Sequence, residues 1–73
     1  METDEKYKKL IQKVADNIKR IRITKGITQE EMITHGFSYR HYQRVESGKH
    51  SFNLHTLYRL SQVFKTDIKK FLE

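Results

Sequence analysis

The chain contains no cysteine and no proline. Without cysteine it has neither a disulfide framework nor thiolate metal ligands, so its stability must come from apolar packing. Helices achieve this most readily in a short chain, because their hydrogen bonds close locally. Glycine is confined to Gly26, Gly36 and Gly48, and apolar residues never run beyond two in succession. No stretch is therefore long enough for a membrane span or a secretory hydrophobic segment. Acidic residues are also in deficit, 9 against 15 lysines and arginines, which leaves a net charge of +6 on 73 residues. A chain of this length is expected to make one domain, 1–73, around one small core. Its charge excess favours polyanionic partners, nucleic acid before an anionic membrane surface.

Capping residues and glycines divide the chain into helical segments. The first is predicted from Thr3 or Asp4 to Lys25. Its Leu10, Ile11, Val14, Ala15, Ile18 and Ile21 recur at the spacing of one helix face, and Gly26 stops it. The second opens on Thr28-Gln29-Glu30-Glu31, a capping box in which Thr28 and Glu31 satisfy each other's backbone N–H groups. It carries Met32 and Ile33, and at barely two turns it depends on packing. Ser38 caps a third helix running to Ser47, before Gly48. Asn53 caps a fourth with Leu54, Leu57, Tyr58, Leu60, Val63 and Phe64, and Asp67 caps a fifth turn with Ile68, Phe71 and Leu72. Five helices with short connections and no strand make a compact all-α fold.

The third helix holds the densest polar chemistry, within SYRHYQRVESGKH, residues 38–50. Tyr42 and Val45 share the side expected to meet the core. Opposite them Tyr39, Gln43 and Ser47 recur every four residues, flanked by Arg40 and Arg44, within an arc of roughly 140°. No aliphatic residue and no acid falls in that arc. An ordinary exposed helix mixes in Glu or Asp for solubility. This one offers guanidinium forks, a carboxamide, a phenol and a hydroxyl, the groups that match base edges and phosphate oxygens.

Three stretches, KRIRITKGITQEEM, SYRHYQRVESGK and NLHTLYRLSQVF, resemble the helix-turn-helix domain of the Cro/C1-repressor-like (XRE) regulators. The resemblance covers residues 14 to 72 and leaves 1–13 as an N-terminal extension of the first helix. It implies a five-helix, lambda-repressor-like DNA-binding domain whose second and third helices form the helix-turn-helix, the third lying in the major groove. Tyr39, Arg40 and Arg44 then take base-reading positions, and Gln43 reads a base or a phosphate. Gln29 takes a phosphate-contacting position and can brace the start of the third helix. Ser47, Lys49 and His50 face the sugar-phosphate backbone. Arg22 and Glu46 occupy the places of an ion pair joining the first helix to the end of the third. Two departures stand out. The chain is one residue shorter than the common family pattern between Met32 and Ser38, and Lys65 stands where the family often has glycine; either it adopts a left-handed conformation at a cost of about 1 kcal/mol or the helix ends differently.

A lone reader of 4–6 base pairs, an order-of-magnitude figure for about half an operator, finds no unique genomic site. A homodimer on a palindrome is therefore expected, with its patch drawn from Ile68, Phe71 and Leu72, some of which must instead fill the core. The competing expectation is a protein-interaction module of the same fold, such as an antitoxin that covers a toxin. Other chemistry finds little support. The histidines His35, His41, His50 and His55 never share a three- or four-residue spacing, so no metal site is expected. No glycine loop cradles a phosphate and no nucleophile stands beside a base, so neither an enzyme nor a cofactor is expected, nor a small-molecule ligand. The setting is a cytoplasm, bacterial or phage-encoded and nucleoid-associated.

Overall fold

A computed structural model describes residues 4–73. Its elements are α1 (Glu5–Thr24), a first 3₁₀ segment (Glu30–His35), α2 (Tyr39–Ser47), α3 (Leu54–Phe64) and a second 3₁₀ segment (Ile68–Phe71). Three α-helices and two 3₁₀ segments thus stand where five helices were expected, and no strand occurs among the described residues.

Each start is set by a short polar side chain that accepts from a backbone N–H left free by helix geometry. Asp4 accepts from Lys6, Ser38 from His41, Asn53 from Thr56 and Asp67 from Lys69, at 2.7 to 3.1 Å. The capping box closes in both directions: Thr28 Oγ1 accepts from the Glu31 N–H and Glu31 Oε1 from the Thr28 N–H, each at 3.1 Å.

The second segment is wound more tightly than an α-helix. Its bonds run over three residues, Met32 N–H to the Gln29 carbonyl and Gly36 N–H to the Ile33 carbonyl, both 3.1 Å. Only Met32 is buried, so little packing favours a regular α-helical turn. The tighter winding also lengthens the segment. A 3₁₀ turn rises ~2.0 Å per residue against ~1.5 Å for an α-helix, a gain of about 3 Å over this segment. Gly36, at φ 91°, then reverses the chain where a side chain would be strained.

One core gathers Val14 and Ile18 of α1, Met32, Phe37, Tyr42 and Val45 of the middle of the chain, and Leu60, Phe64 and Phe71. Leu10 does not join it and is 44% exposed. It lies about 80° around α1 from Ile18, off the buried side that Ile11 and Val14 occupy. Leu54 and Tyr58, on the apolar list for α3, also face outward.

The last turn divides the terminal apolar residues between core and surface. Phe71 is fully buried, edge-on to Phe64 at 6.3 Å between ring centres. Its carbonyl accepts from Nδ2 of the buried Asn17 at 3.0 Å. Ile68 is half-buried against the core, and of the three residues only Leu72 is well exposed. Lys65 ends α3 in the left-handed conformation, φ 53° and ψ 47°. The 3.0 Å bond from the Thr66 N–H to the Ser61 carbonyl helps to hold it there.

Candidate nucleic-acid interface

The Ser38 cap sets where α2 begins, and burial of Tyr42 and Val45 sets its rotation. With those two pinned inward, Tyr39, Arg40, Gln43, Arg44 and Ser47 all face solvent. Among the described residues, no hydrogen bond or ion pair ties down the side chains of Arg40, Gln43 or Arg44. Their donors are free for an external acceptor.

Behind this face a single carboxylate holds three elements together. Glu46 Oε2 accepts from Arg22 Nε at 2.6 Å, and Oε1 accepts from Arg22 Nη2 at 3.2 Å and from Gln29 Nε2 at 3.0 Å. The Tyr42 hydroxyl donates to the same carboxylate. Arg22 Nη1 also donates to the Ile27 carbonyl at 2.7 Å, holding the link between α1 and the first 3₁₀ segment. Both charged side chains are almost wholly enclosed, at 9% and 4% accessible. Burial alone would push the Glu46 carboxyl up, but the bonds from Arg22, Tyr42 and Gln29 outweigh it and hold the group below its usual range. The bond to Glu46 raises Arg22. Burial, and then the neighbouring carboxylate, push the Tyr42 phenol well above its usual value.

Gln29 therefore braces the end of α2, through Glu46, rather than its start. Ser47 is also partly committed: its hydroxyl donates to the Arg44 carbonyl at 2.8 Å and accepts from the Lys49 N–H at 3.3 Å. Lys49 and His50 are exposed on the following loop. A cleft of about 190 Å³ separates α2 from the start of α3, lined by His41, Arg44, His50, Ser51, Asn53 and Thr56 among others.

Arg59 braces the other end of α2, a role that sequence reasoning missed. From α3 its guanidinium lies 4.1 Å from the centre of the Phe37 ring, and Nη2 donates to the Gly36 carbonyl at 2.9 Å. Phe37 in turn packs against His41 and Tyr42. Nothing local marks this arginine, which reads as one more solvated charge; the contact spans twenty-three residues of sequence. Arg59→Ala should destabilise the fold by about 1–2 kcal/mol. Urea unfolding checks this, and an unchanged midpoint would leave the brace without energetic weight.

A family model described as helix-turn-helix matches residues 18–71. Comparison with curated proteins and with solved structures finds no significant match. The matched region runs from the last third of α1 through the whole site to the last turn. The chain belongs to the helix-turn-helix family of Cro/C1-like (XRE) DNA-binding regulators.

Proposed function

We propose that the chain is a sequence-specific transcriptional regulator that acts as a homodimer on a palindromic operator, with α2 in the major groove. Tyr39, Arg40, Gln43 and Arg44 read base edges, while Gln29, Ser47, Lys49 and His50 meet the backbone on either side. The observation that carries this reading is the outward face of α2, which has no acid and whose arginines and glutamine have no partner within the described residues. A helix that served only solubility would pair such charges with carboxylates. Leu72 and the exposed part of Ile68 are the apolar groups left at the end of the chain for a second copy. No helix of the described residues is long and apolar enough to cross a membrane, and a regulator of this kind works in the cytoplasm, on the nucleoid.

Selection from randomised duplexes at two salt concentrations tests the proposal. A palindrome enriched at both supports it, and no enrichment at either removes it. Gln29→Ala should weaken binding to every duplex alike and leave the order of preference unchanged, as loss of a backbone contact does. A changed preference order would make Gln29 a base reader. A second reading, a module that covers a protein partner, draws support from Leu54 and Tyr58, which lie one helical turn apart on α3 and are 74% and 55% exposed.

A further inference from the structure

The family match begins at residue 18, whereas α1 already starts at Glu5. The early turns of this helix are docked on the rest of the molecule. Gln12, held by a 2.9 Å bond to Asp16 Oδ1, lies directly against Gly48. A Cβ at position 48 would overlap the Gln12 carboxamide, and the backbone there has φ 74°. Glycine ends α2 there in the left-handed conformation, and the Gln12 carboxamide occupies the space a side chain would take.

Between α1 and that loop runs a cleft of about 590 Å³, whose polar lining is Tyr7, Lys8, Gln12, Lys49, His50 and Ser51. One ammonium group stands on each wall, Lys8 on α1 and Lys49 on the loop. A phenol, an imidazole, a carboxamide and a hydroxyl complete a set rich in donors, and among the described residues no carboxylate lines it. Glu5 pairs with Lys8 at 3.7 Å across a largely exposed surface, where such pairs are weak.

We propose that this cleft seats the sugar-phosphate backbone of the DNA flanking each half-site, so that α1 extends the footprint beyond the helix-turn-helix. The inference rests on the DNA-binding reading above, which already places Lys49 and His50 against phosphate. The fold carries Lys8 and Tyr7 to the same groove from residues outside the matched region. A phosphate neutralised there releases counterions and steepens the salt dependence of binding without contributing to sequence preference.

Lys8→Gln tests this. Its control is Lys70→Gln, an equal loss of charge from a lysine of similar exposure, paired with Glu73 at 3.7 Å. Lys70 lies beside Arg20 and Thr24, near the other end of α1. On a selected operator with long flanks, Lys8→Gln should flatten the slope of log affinity against log salt by about 0.9 per subunit, and Lys70→Gln should not. On a duplex trimmed at the half-site edges, Lys8→Gln and the unaltered chain should show the same slope. Base preference should be unchanged throughout. An unaltered slope for Lys8→Gln on the long duplex, or equal flattening by both variants, overturns the α1 contact and leaves the helix-turn-helix reading standing. Failure of the unaltered chain to bind any duplex overturns both.

Discussion

Glu46→Ala should lower the unfolding free energy by about 3–5 kcal/mol, the range for breaking an enclosed ion pair from one side. The reason lies in what the substitution strands. Arg22 would keep a guanidinium only 9% accessible with no carboxylate beside it, and the Tyr42 hydroxyl and the Gln29 amide would each lose an acceptor. A small domain has about 5–15 kcal/mol of stability in all, so the variant should melt at least about 12 °C lower. An unchanged thermal transition would show that the cluster holds nothing together. The same carboxylate makes stability depend on pH. Its folded value is lowered relative to the unfolded chain, so its contribution is complete above the ordinary carboxyl value of about 4.3. That contribution disappears as pH falls through the depressed folded value. Glu46→Gln, which cannot titrate, should lose less stability than the unaltered chain on acidification across this window.

Arg44→Ala should weaken specific binding by roughly 1–3 kcal/mol, about 5- to 150-fold in Kd, and relax preference at one base position. Arginine reads guanine through two parallel bonds to O6 and N7, and alanine replaces neither. Stability should barely change, because the Arg44 side chain has no hydrogen-bond or ion-pair partner within the described residues. Binding to selected and to random duplexes separates the two roles open to this residue: an equal loss on both would mark a backbone contact.

What could be read along the chain was mostly local. The caps at Asp4, Thr28, Ser38, Asn53 and Asp67 each act within three residues, so residue type and spacing reveal them. The outward set on α2 follows from helical period once Tyr42 and Val45 turn inward. What escaped depends on neighbours distant in sequence. Leu10 fits the apolar stripe of α1, but no other described element covers it. Phe71 could belong to core or surface until Asn17, fifty-four residues away, is seen to hold its carbonyl. Gln29 can contact a phosphate from its place in the motif, yet its bond to Glu46 depends on how two elements cross. The 3₁₀ winding of residues 30–35 goes with a single buried methionine, and helix propensity does not weigh that.

The bare guanidinium and carboxamide groups of Arg40, Gln43 and Arg44 have a consequence for how such a molecule diversifies. On the proposed reading, recognition and folding fall on opposite sides of the same nine-residue helix. Exchanging the exposed set should therefore redirect the protein to a new operator with little thermodynamic penalty, while the Arg22–Glu46 cluster behind it stays unaltered. A lineage, or an engineer, could retarget this scaffold one outward position at a time.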